Sequence, residues 1–148
     1  MSENNTELPR LVYSNGWKIS GVILVFYAVI GGMLLPVPAR DILNETIRNL
    51  YYHVTMWFAM IFLLAVSLIF SIRYLLDFKL KNDTVAVEAA KTGMLFALLG
   101  LLTGMLWAKF TWGAFWTNDP KLNGVAVSLL VYAAYFLLRN AIDDEQKR

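Results

Sequence analysis

Few residues in this chain could do chemistry. His53 is the one histidine, and there is no cysteine. The histidine stands in Tyr51-Tyr52-His53-Val54-Thr55-Met56-Trp57. Trp57 follows at i+4, so imidazole and indole share one helix face. A single imidazole can act as an axial ligand to a macrocycle-bound iron. It can equally sit hydrogen-bonded among interfacial aromatics, and the residue taken alone favours that plainer reading. Met56 and Met105 offer weak thioether donors beside it.

A second stretch says more: Trp107-Ala-Lys-Phe-Thr-Trp112-Gly113-Ala-Phe115-Trp116-Thr-Asn-Asp119-Pro120-Lys121. Aromatic residues at a membrane boundary are usually an aromatic belt. A belt explains one or two tryptophans at each end of a span. It does not explain why Trp57, Trp107, Trp112 and Trp116 fall on one side of the topology derived below and Trp17 alone on the other. A flat macrocycle needs apolar faces to stack on and a glycine that permits close approach. Its carboxylates need cationic or hydrogen-bonding partners, which Arg40, Arg48 and Lys121 could supply. Asp119 would repel those carboxylates, so its expected task is to hold the loop through backbone amides or Lys121. Belt and ligand platform both remain open on composition.

Other chemistry is excluded. Without cysteine there is no disulfide, thiolate metal site, iron–sulfur cluster or covalent haem attachment, and one histidine makes a zinc site unworkable. Nothing resembles a Ser/His/Asp arrangement, a phosphate-binding loop or paired carboxylates, so no catalytic residue is nominated. The net charge of +2 on scattered basic residues gives no nucleic-acid surface.

The elements that must position these groups are membrane spans. Only 16% of the 148 residues are charged, against about a quarter in soluble domains. Four runs lack any charge: 19–39, 54–72, 92–108 and 122–138. Each reaches the roughly 17–25 residues that cross a bilayer, and helix is the form that pairs every backbone group in lipid. The first run is too long for a signal-peptide core and has no small-residue cleavage site after it. The expected fold is all-α, a single membrane domain (1–148) of four transmembrane helices. Nine of the 13 basic residues (Arg10, Lys18, Arg73, Lys79, Lys81, Lys91, Arg139, Lys147, Arg148) fall on one side. That split predicts N-in and C-in, with outer loops at 36–52 and 109–121.

Details follow from local signals. Pro36 and Pro38 end the first helix. Leu43, Ile47, Leu50, Tyr51 and Val54 recur at helical spacing, predicting a short interfacial helix capped by Asn44, with Glu45 in its first turn. The mixed charges of 76–90 read as a solvated inner loop with a short helical approach. Gly100 and Gly104 read as ordinary close packing within the bundle. Glu88 and Lys91 read as a surface helical pair. No carboxylate lies at mid-membrane, which weighs against a proton-coupled transporter. The polar stretch 1–10 is expected to be loose, and 143–148 is a charged end.

Two segments together carry a resemblance. Trp112-Gly113-x-Phe115-Trp116-x-x-Asp119 resembles the tryptophan-rich WWD signature of the haem-handling membrane proteins of cytochrome c maturation. Thr103-Gly104-x-x-Trp107 ahead of it fits the same pattern. Tyr52-His53-Val54-x-x-Trp57 resembles the family's His-Val-Pro-x-x-Trp segment. The nearest likeness is to the CcmC family, over roughly Trp17 to Asp144. Phe115 and Asn118 stand where the family often has Trp, Thr55 where it has Pro, and Lys121 in a segment where Arg is common. Lys keeps the charge without the bidentate fork.

The resemblance implies a haem-binding, non-enzymatic protein of the inner membrane, with its functional loops on the periplasmic face. It implies non-covalent haem, with His53 as metal ligand and Trp57, Trp107, Trp112, Gly113, Phe115, Trp116, Asp119 and Lys121 around it. It implies hand-over to the periplasmic haem chaperone, cytochrome c maturation protein E, and association with other membrane subunits of that pathway. The family has six spans and a second axial histidine in a third outer loop, so the chain reads as a shortened form with one ligand. The alternatives are a small four-helix transporter and a structural subunit with an aromatic belt.

Overall fold

The computed structural model describes residues 7–38 and 40–142, with side-chain surroundings from Asn15 onward. The segments 1–6 and 143–148, expected to be loose and a charged end, lie outside the described residues. The described residues fall into two units that divide after Pro38. No strand occurs among them, and four helices are long and apolar enough to cross a membrane. The expected all-helical class therefore holds.

The first unit is one helix, α1 (Glu7–Leu34). It takes in Glu7–Arg10, part of the stretch expected to be loose. It stops short of the apolar run that predicted it, closing with the Leu35 amide on the Gly31 carbonyl at 2.9 Å. Pro36 and Pro38 explain the stop: a proline offers no N–H, and its ring pushes the preceding residue out of the helical region.

The second unit holds α2 (Asn49–Asp77), α3 (Leu80–Trp112) and α4 (Pro120–Asn140). At about 1.5 Å per residue the 33 residues of α3 run to about 50 Å. That exceeds a hydrocarbon core of about 30 Å, so both ends reach the interfaces. A 3-10 turn, Asn44–Arg48, leads straight into α2. The expected interfacial helix is therefore this turn plus the first turns of α2. Asn44 does not cap it. No side chain caps this start, and Asn44 itself sits in the left-handed region at φ 42°. Thr46 and the Glu45–Arg48 pair (2.7 Å) hold the turn instead, the Thr46 hydroxyl donating to the Leu43 carbonyl.

The connection between α2 and α3 departs from expectation more sharply. In place of a loop over 76–90 there are two residues, Phe78 and Lys79. Phe78 adopts a left-handed φ of 50°, and its amide closes α2 on the Tyr74 carbonyl at 2.7 Å. The Asp77 carboxylate then accepts the Lys79 amide (3.1 Å) and the Asn82 side-chain amide (2.9 and 3.0 Å). Charge shortens the lipid-soluble run but does not break a helix. With no Gly or Pro between 76 and 90, α3 starts at once. Glu88 and Lys91 pair on its surface as expected, at 2.8 Å.

The core of this unit is the seam between α2 and α3. Small residues of α3, among them Ala86, Ala90, Gly93, Ala97 and Gly100, are buried on one stripe. Small side chains let two helices approach closely where lipid gives no hydrophobic drive. The larger side chains of α2 fill the stripe: Leu63 and Leu64 lie over Gly93, Met56 and Trp57 over Gly100, and His53 over Gly104. The glycine pair expected to serve ordinary packing thus receives the two residues nominated for chemistry.

The antiparallel helix α4 is tied to α3 at both ends. At one end the Arg139 guanidinium grips the Asp83 carboxylate through both nitrogens, Nη1 at 3.0 Å. Their side chains are 13% and 14% exposed, so the pair is largely but not fully withdrawn from solvent. At the other end Ala108, Leu122 and Val125 are buried.

Candidate functional site

His53 lies on the second turn of α2, half-buried against α3. Its Nδ1 is 3.1 Å from Thr103 Oγ1, and its Nε2 accepts the Trp57 indole N–H at 2.9 Å. The Trp57 and Trp107 rings meet the imidazole edge-on, with centroids at 5.7 and 5.8 Å. Behind the ring, a Cβ placed on Gly104 would stand 2.7 Å from His53 Cε1. Only glycine leaves that space. The Asn49 side-chain amide donates to the Thr103 carbonyl at 2.9 Å and pins the same end of the seam.

The loop expected over 109–121 is shorter, because α3 stays helical through Trp112. Gly113 ends it at φ 82°, its amide on the Lys109 carbonyl at 3.1 Å. A Cβ there would meet nothing within 4 Å, so the demand for glycine is conformational, a left-handed helix end. Lys109 folds back to donate to the Gly113 carbonyl at 2.9 Å and lies 5.6 Å from the Phe115 ring centroid. Asp119 is the N-cap of α4. Its carboxylate accepts the Lys121 amide at 2.8 Å, and Pro120 follows at the first helical position. The loop-holding task expected of Asp119 is thus performed through a backbone amide.

A cleft of about 980 Å³ opens between α2, α3 and the start of α4, near the top of the ~300–1,000 Å³ typical of ligand sites. Of the nominated residues, His53, Trp57, Trp107, Trp112, Asp119 and Lys121 line it. Gly113, Phe115 and Trp116 do not, nor do Arg40 and Arg48. Arg48 is engaged by Glu45 instead. Met56 and Met105 are also absent from the lining.

Sequence reasoning gave no role to Thr103, the partner of Nδ1, or to Thr111, which lines the cleft. A signal was present: Thr103, Trp107 and Thr111 are spaced by four and form one ridge of α3. Among the described residues, Trp107 Nε1, Thr111 Oγ1 and Thr117 Oγ1 are buried without a hydrogen-bond partner. The first two belong to that ridge and to the cleft wall.

The chain is similar to known proteins over most of its length. The family model described as heme exporter protein C matches residues 4–148. A heme exporter protein C of Rhodobacter capsulatus is 28% identical over 130 residues, 86% of this chain and 53% of that protein. Its counterpart in Bradyrhizobium diazoefficiens is 32% identical over 104 residues, 70% of this chain and 40% of that protein. A cytochrome c biogenesis protein CcsA of Prochlorococcus marinus is 40% identical over 57 residues, 38% of this chain and 18% of that protein. No solved structure matches. The chain spans about half the length of the curated relatives it matches. With a family model matched along nearly its whole length, the chain belongs to the CcmC family, that of heme exporter protein C.

Proposed function

We propose that this chain binds haem non-covalently in the cleft between α2, α3 and α4. It presents the haem on the outer, periplasmic face of the inner membrane for cytochrome c biogenesis. The observation that carries the reading is the joint placement of the one histidine, three tryptophans and a lysine around a single large cleft. The names of the relatives, heme exporter protein C and cytochrome c biogenesis protein, agree with it.

The donor set fits such a cargo. His53 Nε2 is the nitrogen that accepts the Trp57 indole N–H, and it would be the iron ligand. Trp57, Trp107 and Trp112 supply flat apolar contact, worth on the order of 1–3 kcal/mol each when well buried. Trp112 is 63% exposed without cargo, so most of its contact area would be gained on loading. The unpartnered N–H of Trp107 and hydroxyl of Thr111 match a cargo carrying acceptor oxygens, and Lys121 adds a cation for the propionates. Phe115 and Trp116, outside the lining, belong to the loop before α4, and in this reading that loop would meet a receiving protein such as the periplasmic haem chaperone.

The test is a haem titration of the purified protein followed by its absorption band. The expected result is a saturable band that His53→Ala removes or shifts, and that Trp112→Ala weakens without changing the axial ligand. A band and affinity untouched by His53→Ala would refute the assignment. Orientation is tested by labelling single cysteines with an impermeant thiol reagent on intact cells. Asn118→Cys should label, and Lys81→Cys should not.

A further inference from the structure

A lone imidazole can ligate only through a nitrogen that carries a lone pair and can turn it to the metal. Both ring nitrogens of His53 are engaged, and the direction of both side-chain hydrogen bonds around it can be deduced. An indole N–H donates and never accepts. Trp57 Nε1, 2.9 Å from Nε2, therefore fixes Nε2 as the unprotonated nitrogen. The neutral ring then carries its proton on Nδ1, 3.1 Å from Thr103 Oγ1. The Thr103 hydroxyl has one hydrogen of its own, and it is directed at the carbonyls of Leu99 (2.8 Å) and Gly100 (3.1 Å). Those carbonyls only accept, so the Thr103 oxygen is free to accept from Nδ1. The bonds run in one sense, from Trp57 through His53 and Thr103 to the backbone of α3.

We propose that Trp57 is a lock on His53 and Thr103 its orienting partner. This rests on the haem reading above. Thr103 holds the Nδ1–H tautomer and so keeps the lone pair on Nε2, in a residue that lines the cleft. Trp57 occupies the Nε2 lone pair while no cargo is bound. On loading, the indole N–H leaves Nε2 and the nitrogen–iron bond forms in its place. One hydrogen bond breaks, one coordinate bond forms, and no proton or electron moves. On unloading, the indole recaptures the lone pair. A site that must surrender its cargo gains from a built-in competitor for its only ligand nitrogen. The competitor sits one helical turn away on the same helix, so it returns without any helix moving.

The lock predicts opposite signs for two neighbouring substitutions. Trp57→Phe keeps an aromatic ring but removes the donor, and haem affinity should rise by roughly two- to tenfold, the range of one neutral hydrogen bond. Thr103→Val leaves the lock but releases Nδ1, and affinity should fall by a similar factor. A merely structural role for both residues would lower affinity in each case.

Two measurements need no cargo. Because the sequence holds one histidine, protein labelled with 15N-histidine in detergent gives a single imidazole's signals. They should show a protonated Nδ1 and a hydrogen-bonded, unprotonated Nε2, and in Trp57→Phe the Nε2 signal should move toward that of a free lone pair. Carbethoxylation of the ring by diethylpyrocarbonate, followed by mass spectrometry, should be several-fold faster in Trp57→Phe. A protonated Nε2 in the unsubstituted protein would overturn the lock. So would unchanged or lower haem affinity in Trp57→Phe while His53→Ala still abolishes the band; the haem reading would then survive without it. A haem band indifferent to His53→Ala would instead sink the haem reading, and the nitrogen signals would still decide the hydrogen bond.

Discussion

Replacing Gly104 by alanine tests the geometry around His53 with one methyl group. A Cβ at this position would lie 2.7 Å from His53 Cε1 and 3.4 Å from Nδ1. The ring must recede by about 0.7 Å or more to regain ordinary contact. It is held on both sides, by Thr103 at 3.1 Å and Trp57 at 2.9 Å, so receding strains or breaks one of these bonds. Overpacking a close helix seam costs about 1–3 kcal/mol, and loss of one hydrogen bond adds about 0.5–1.5. Alanine in a helix returns up to about 1 kcal/mol over glycine. The net expectation is about 1–3 kcal/mol of destabilisation, with weakened haem binding if His53 is the ligand, because the imidazole is displaced. Gly100→Ala is the internal control. Its added Cβ would meet Trp57 at 3.6 Å and Met56 at 3.7 Å, which is ordinary contact. Propensity should win there, leaving the protein unchanged or slightly more stable. Thermal unfolding in detergent and haem titration on both variants provide the readout. If the two substitutions behave alike, the close approach of imidazole to α3 is not a feature of the folded protein.

Three other substitutions probe the frame. Asp119→Ala removes the α4 cap and should cost about 0.5–2 kcal/mol, whereas Asp119→Ser keeps a capping oxygen and should recover most of it; apparent melting temperatures separate the two. Asp83→Ala leaves the part-buried Arg139 without its carboxylate and should cost about 1.5–3 kcal/mol, while the double replacement Asp83→Leu with Arg139→Met should be milder. Equal loss in the single and double variants would mean that the stranded charge is not what costs stability. Thr111→Val should stabilise the cargo-free protein by about 1 kcal/mol, since it deletes an unpaired buried hydroxyl, yet weaken haem binding. Weaker binding without the gain in stability would place a partner on that hydroxyl already in the free state.

The spans were legible because lipid imposes a crude requirement, some twenty apolar residues at a stretch, which four runs meet. Helix ends were not, because charge and helix termination are different things. The charged run 76–90 leaves the hydrocarbon but contains no Gly or Pro, and α3 begins at Leu80. In the candidate site, residue type nominated His53 and the tryptophans, and Trp57, Trp107 and Trp112 line the same cleft as His53. What type cannot reveal is rotation about a helix axis. Thr103 is visible in sequence only as part of the Thr103-Gly104-x-x-Trp107 pattern, and its contact with His53 emerges only when α2 is seen to place the imidazole against it. Trp112 and Trp116 look equivalent in sequence, yet only Trp112 is carried on α3 to the cleft wall. The Asp83–Arg139 pair, 56 residues apart, has no local signature at all.

The ridge Thr103–Trp107–Thr111 links the scaffold to the cleft. Its first member is fully satisfied, giving its hydrogen to a carbonyl and meeting Nδ1 of His53. The next two, one and two turns further along α3, are buried with unpaired donors. An unpaired buried donor costs about 1–3 kcal/mol. A helix built only for packing would carry Leu or Val at both positions and lose nothing. One ridge thus holds a complete hydrogen-bonded support under the imidazole and an incomplete polar wall beside it. The completed part holds His53 in place in the protein alone. The incomplete part has its donors in place but lacks acceptors, which a haem bearing two carboxylates would bring. The uneven satisfaction of a single helix face is what separates this cleft from a gap left by loose packing.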